Sequence, residues 1–185
     1  METSDRSEPP SLVLKETHLG KGVFANRLFL KGEVILRFRG RLYRKEEYLK
    51  KVRHEKCHFL QIDTQWFLGP TRSIDNFVNH SCDPNCGYLV MDMQAFLVAI
   101  RNIMVGEEIT FDYSTSMAED FWEMNCSCGS PKCRGRIRDF KYLPRDIQDH
   151  YLGLRIVPDF VIRSLAEGKS GTYQNENLSL AAGIQ

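Results

Sequence analysis

A chain of 185 residues, 42% hydrophobic and 26% charged, has the balance of a single globular domain with tails. Its formal net charge of +1 gives no global reason to bind nucleic acid or a membrane surface, and no run nears the ~18 apolar residues that a membrane-spanning helix needs. The opening METSDRSEPP has neither the basic region nor the apolar stretch of a secretory signal, so the six cysteines are expected in an intracellular, reducing compartment, nucleus or cytoplasm alike.

Residues 1–10 read as a disordered lead whose prolines mark the edge of structure. From Leu12 to Phe38, short β-like runs alternate with glycine punctuation: LVL, HLGKG, VFANRLFL, KGE and VILRF. RKEEYLKKVRH (44–54) reads as the first helix, with Glu46–Lys50 and Glu47–Lys51 at favourable i,i+4 spacing. CHFLQI and QWFLG form an expected hairpin around Asp63-Thr64. Beyond the polar NHSCDPNC (79–86), YLVM and AFLVAI form a second around Asp92-Met93-Gln94. Gly106-Glu107 turns the chain into a short strand, Ile109 to Phe111, and SMAEDFWEM reads as a short helix. Pro144 and Pro158 stand where helix starts tolerate proline. Ile147, Tyr151 and Leu154 follow the first at helical spacing, and Phe160, Val161 and Leu165 the second. From Gly168 the residues are small and polar, a frayed tail. Many short strands, few short helices and several glycine corners make a mostly-β architecture.

Cys126, Cys128 and Cys133 put three thiols within eight residues, which favours metal over redox chemistry. Zinc takes four soft or imidazole ligands in a tetrahedron, and the fourth could come from Cys82, Cys86 or Cys57. The adjacent His80 and Ser81 suggest a hydrolase pair, but neighbouring residues rarely face each other correctly and no nucleophile elbow surrounds them.

Four segments in order, GKGVFA (20–25), NHSCDPN (79–85), EEITFDY (107–113) and CSCGSPKC (126–133), resemble the signature segments of SET-domain protein methyltransferases. The last is similar to their zinc-binding post-SET segment. The resemblance implies a SET-domain β-clip fold with pseudoknot-like C-terminal threading, in which NHSC is a loop crossed by the segment ending FDY. It implies a SET domain over 11–115 and a linker helix and post-SET zinc segment over 116–138; the C-terminal helices over 139–167, extra to the motif set, and the tail over 168–185 rest on spacing and composition.

The implied activity is protein-lysine N-methyltransferase: transfer of methyl groups from S-adenosyl-L-methionine to the ε-amine of an exposed lysine in a protein, a histone tail or another. By the same resemblance Tyr113 is the catalytic tyrosine, and Phe111, His58 and Phe121 line the substrate channel, with Trp122 beside them. Leu19, Lys21, Gly22, Asn79 and His80 bind the cofactor, His80 by hydrogen bonding rather than proton transfer. Cys82 joins Cys126, Cys128 and Cys133 on a structural zinc. Phe111 stands where the family carries Phe or Tyr, and the missing hydroxyl implies room for more than one methyl. His58 stands where some members carry Tyr, and Asn76 where many carry Arg; both bear on substrate and product state. The competing reading is a catalytically silent SET module that binds a protein tail. A third takes Lys132–Arg138, KCRGRIR, as a nucleic-acid contact; with the rest of the chain nearly neutral, direct nucleic-acid binding is not expected. The oligomeric state is not legible.

Overall fold

The computed structural model describes residues 10–52, 59–120 and 122–166. The expected lead, the tail from Gly168, and Cys57, His58 and Phe121 lie outside the described residues, save Pro10.

Strands β1 (Leu12–Thr17) and β2 (Gly20–Ala25) form an antiparallel hairpin registered from Leu12↔Ala25 to Thr17↔Gly20. The run VFANRLFL is not one strand, because Asn26 turns the chain: its N–H donates to the Ser11 carbonyl and its side-chain amide to that of Pro10. Phe29 then re-enters the core, exchanging backbone hydrogen bonds of 3.0 and 2.9 Å with Ile103. After β3 (Val34–Arg37) and β4 (Leu42–Arg44) comes helix α1 (Lys45–Val52). The two expected i,i+4 ion pairs on α1 are not among those formed by the described residues. Glu47 instead accepts the Arg44 N–H at 3.2 Å, the N3-to-Ncap half of a capping box, and approaches Arg41 at 3.5 Å.

β5 (Leu60–Asp63) and β6 (Trp66–Leu68) form the first expected hairpin, and with β4 a three-stranded sheet. The second expected hairpin follows β7 (Asn79–His80): β8 (Cys86–Met91) and β9 (Gln94–Ala99) turn at Asp92 and Met93, both at positive φ (48° and 59°), as a type I′ turn requires. The short strand after Gly106 is β10 (Thr110–Phe111), one residue shorter than expected. It carries the topology. The five-stranded sheet runs β3-β9-β8-β10-β7, so β10 lies parallel between two strands that the loop 81–85 connects. That loop therefore wraps the inserted strand, which is the knot-like threading. Asn85 pins the crossing: its side-chain oxygen accepts the Thr110 N–H at 2.9 Å and its amide donates to the Glu108 carbonyl at 2.7 Å.

SMAEDFWEM is not a helix among its described residues. A single 3₁₀ turn covers Tyr113–Ser116, and buried side chains from other elements then claim the peptide N–H groups. Ala118 donates to Gln61 Oε1 at 2.8 Å and Asp120, at φ 64°, to Asp139 Oδ2 at 2.7 Å. The chain continues through β11 (Met124–Asn125) and β12 (Arg136–Ile137), then α2 (Arg145–Gly153) and a last helix, α3, over 159–166, with Pro144 and Pro158 directly ahead of the helices as expected.

Three apolar clusters result. One fills the sheet around Val23, Phe29, Tyr88, Leu97 and Phe111; a second joins Phe140, Tyr151, Ile156, Phe160 and Val161 to the back of β8; a small third packs Tyr48 of α1 on Phe59 and Phe67. Gly87 marks the seam, since a Cβ there would sit 2.2 Å from Ile156 Cγ2. No described helix is long and apolar enough to cross a membrane.

Candidate active site and metal centre

The crossing of β7 and β10 brings the predicted cofactor residues to one side. Leu19, Asn79 and His80 line a cleft of about 240 Å³ with His18, Glu108 and Thr110. Lys21 and Gly22 edge it through backbone: the Asn79 amide donates to the Lys21 carbonyl at 3.1 Å and to Glu108 Oε1 at 2.8 Å. Gly22 cannot carry a side chain without disturbance, because a Cβ would meet Glu108 Oε1 at 2.4 Å and Thr17 Cγ2 at 2.8 Å.

The other side is aromatic. Tyr113 lines a narrow cavity of about 80 Å³ with Phe38, Phe59, Asn76, Phe111 and Trp122. Its hydroxyl donates to the Val78 carbonyl at 2.7 Å, and its ring centroid lies 4.9 Å from that of Phe111 and 6.2 Å from that of Trp122. Burial, then the Glu108 charge, pushes the phenol well up, so it stays protonated at neutral pH. Thr110 faces the first cleft and Phe111 the second, because successive residues of a strand point to opposite faces. β10 is thus the wall between the two clefts.

His80 is fully engaged. The Tyr113 N–H donates to its Nδ1 at 3.2 Å, which leaves the proton on Nε2, 3.3 Å from Cys82 Sγ. Burial brings its pKa down to about 4, against the pull of Asp112. The ring is therefore neutral, and its 3.6 Å approach to Asp112 is not an ion pair. No Ser-His relay exists, since both ring nitrogens already have partners.

Asp112, 1% exposed, is the hub that sequence reasoning did not single out. It receives Arg134 Nη2 at 2.7 Å, the Tyr151 hydroxyl at 3.0 Å and the Ser114 N–H at 3.1 Å. The signal was present as an acidic residue between two aromatic ones in FDY, but its partners lie 22 and 39 residues away.

Of the four expected metal ligands, Cys82, Cys126 and Cys128 come together, with His80 beside them, their donor atoms within 4.8 Å of one another. Cys133 directs its thiol at the Cys126 carbonyl, 3.6 Å away. The Cys82 and Cys126 sulfurs are 3.8 Å apart, the edge of a tetrahedron whose Zn–S bonds are about 2.3 Å. Such a soft donor set fits zinc. Burial opposes ionisation of Cys128, but the backbone of Cys82 and Ser130 and the neighbouring thiols outweigh it and bring it down to about 7. Cys86 is apart, buried beside Asn85 and pushed up to about 12 by that burial. In the basic stretch, Lys132 pairs with Asp83, Arg134 with Asp112, and Arg136 and Arg138 with Glu123.

Comparison with known proteins agrees with this geometry. The SET-domain family model matches residues 20–114, just over half of the chain. Histone-lysine N-methyltransferase trithorax of Drosophila virilis is 32% identical over 126 residues, 62% of this chain and 3% of that protein. Histone-lysine N-methyltransferase ATX2 of Arabidopsis thaliana is 30% identical over 144 residues, 71% of this chain and 13% of that protein. Histone-lysine N-methyltransferase 2B of Homo sapiens is 29% identical over 126 residues, 62% and 5%. The chain thus spans 3 to 13% of the length of these relatives. Among solved structures, KRYPTONITE in complex with mCHH DNA, an H3(1–15) peptide and SAH matches with a TM-score of 0.55 at 21% identity, covering 69% of this chain and 29% of that one, a likeness of fold. By matched motif, threading and family model, the chain belongs to the SET-domain family.

Proposed function

We propose that this chain is a protein-lysine N-methyltransferase that uses S-adenosyl-L-methionine and acts on a histone tail or another protein with an exposed lysine. The observation that carries the reading is the two-sided wall at β10: a polar cleft with Asn79 and His80 on one face, and a narrow aromatic cavity ending at Tyr113 on the other. The names of the relatives, all histone-lysine methyltransferases, support it.

S-adenosyl-L-methionine, when bound, supplies a methyl group on a sulfonium for in-line displacement by a neutral amine. The chain's own work is orientation and desolvation, and orientation alone can supply several kcal/mol of a barrier. Leu19, the Lys21–Gly22 backbone, Asn79 and, its ring nitrogens being engaged, the backbone of His80 would hold the cofactor. The aromatic walls strip water from the lysine ammonium and so lower its pKa. Tyr113, fixed by its bond to the Val78 carbonyl, keeps oxygen lone pairs to orient the amine, and its raised pKa excludes it as a general base at neutral pH. Phe111 adds no hydroxyl and so leaves space for a methylated amine. His58 and Phe121 remain proposed channel residues. Cys82, Cys126, Cys128 and Cys133 would hold a structural zinc that ties the loop 81–85 to the following knuckle, chemistry suited to a reducing compartment.

The test is mass spectrometry of methyl transfer from labelled cofactor to histones and whole-cell protein. Wild type should label lysine, and the same spectra should contain di- or trimethyl product. Tyr113→Phe should lower kcat roughly a hundredfold. Equal labelling by the variant would remove Tyr113 from its role. Cofactor binding without transfer to any protein would favour a silent tail-binding module.

A further inference from the structure

Resting on the methyltransferase reading, we propose that Tyr151 is a positioning residue for methyl transfer, acting through Asp112 on Tyr113 from outside the SET domain proper. The matched family model ends at residue 114, whereas Tyr151 sits on α2 in the second core, 3% exposed. Its only polar atom reaches back into the site, and the hydroxyl donates to Asp112 Oδ2 at 3.0 Å.

Asp112 directly precedes Tyr113 and caps the 3₁₀ turn that Tyr113 begins, through the Ser114 N–H at 3.1 Å. The Thr115 hydroxyl closes the same turn on the Asp112 carbonyl at 2.7 Å. The orientation of the Asp112 carboxylate therefore sets the backbone from which the catalytic phenol projects. Tyr151 and Arg134 both donate to Oδ2, and Arg134 also reaches Oδ1 at 2.8 Å beside the Ser114 N–H, so Tyr151 is one of two side-chain donors that fix the carboxylate. Arg134 grips the same carboxylate at 2.7 Å, and its own N–H donates to Cys82 Sγ at 3.4 Å, so the hub meets the metal knuckle as well.

Helix α2 is itself anchored for this task. The Gln148 side chain donates to the Leu143 carbonyl at 2.8 Å and the Lys141 carbonyl at 3.2 Å, and Phe140 donates its N–H to Met117 at 3.2 Å. The helix is thereby registered to the segment that leaves the active site. A buried tyrosine placed only for packing needs a polar partner, but that partner need not be the residue beside the catalytic tyrosine. Here the hydroxyl is spent on a charged acceptor, the stronger class of hydrogen bond.

The experiment uses the full chain, labelled cofactor and a histone H3 tail peptide, and compares wild type, Tyr151→Phe and Val161→Ala. Tyr151→Phe keeps the ring and removes only the donor; Val161→Ala loosens the same core without touching Asp112. Tyr151→Phe should lower kcat about tenfold, the scale of a lost bond to a charged acceptor, with KM for the peptide within about twofold. Amide exchange over residues 110–117 should quicken by a similar factor. Val161→Ala should lower the unfolding midpoint and leave kcat at wild-type level below it. Unchanged kcat and exchange in Tyr151→Phe would overturn the proposal, as would an equal kcat loss in Val161→Ala. Should wild type transfer no methyl at all, the proposed function falls, and the exchange comparison alone decides whether Tyr151 holds the site.

Discussion

Gly22 is where a single added atom tests the proposed cofactor cleft. An added Cβ would displace Glu108 Oε1, 2.4 Å away, and with it the 2.8 Å bond from Asn79. The carboxylate is the end of a flexible side chain and can rotate away, so the fold should survive. Asn79 would not, however, keep its place at the cleft. Gly22→Ala is expected to weaken S-adenosyl-L-methionine binding about tenfold or more, with little change in unfolding midpoint, measured by calorimetry and thermal unfolding. The loss matches one charge-assisted hydrogen bond. Unchanged affinity would remove the Gly22 edge from the cofactor site. The glycine by itself reads as an ordinary turn, and its place at the cofactor entered through the family resemblance, with close backbone approach as the physical reason. Its contact with Glu108, 86 positions away in the chain, was not legible in the sequence.

At the scale of elements, the hairpins were legible because alternation and turn residues are local signals, and the Asp92-Met93 turn fell where expected. The insertion of β10 between β7 and β8 was not visible in any spacing and entered only through resemblance to a family. The misread helix has the same cause. The residues of SMAEDFWEM suit a helix locally, but Gln61 and Asp139, from distant elements, take their N–H groups. Arg134 and Tyr151 were likewise read for local pattern, a basic run and a helix face, when both serve Asp112. The crossing itself yields a stability prediction. Asn85, 3% exposed, satisfies the Thr110 N–H and the Glu108 carbonyl. Asn85→Ala leaves both unpaired, and at about 1–3 kcal/mol for each buried unsatisfied group the loss should be about 2–6 kcal/mol by urea unfolding. A change under about 0.5 kcal/mol would show that water replaces the side chain, and that the threading is held by its backbone bonds alone.

At the scale of the whole molecule, a pair of buried carboxyl groups lies between Tyr48 of the small cluster on α1 and the segment that enters the C-terminal core at Phe140. Glu119 and Asp139 are 8% and 1% exposed, and neither Glu119 oxygen has a hydrogen-bond partner among the described residues. The Tyr48 hydroxyl of α1 and the Trp122 backbone approach Glu119 and, with Lys45, partly offset its burial without forming a well-aligned hydrogen bond, while Asp120 and Lys141 face Asp139. Burial raises both carboxyl pKa values above their ordinary range; the Asp139 charge adds to the rise at Glu119, and the Asp120 charge to the rise at Asp139. The sign of the linkage follows. A carboxyl whose folded pKa lies above its unfolded value binds more protons in the native state, so stability falls as pH rises from the unfolded pKa through the folded one. Below that window both states are protonated and the burial costs nothing in charge; above it the native state carries the full penalty. Glu119→Gln keeps the shape and removes the ionisation. The variant should match wild type near pH 4 and exceed it increasingly toward pH 8 when urea unfolding is compared at each pH. Because the difference between two otherwise identical chains is what is read, titration of the cysteines cancels. A variant less stable than wild type at pH 8 would mean that the ionised Glu119 is held by a favourable partner, and that the seam is a paired charge rather than a protonated acid.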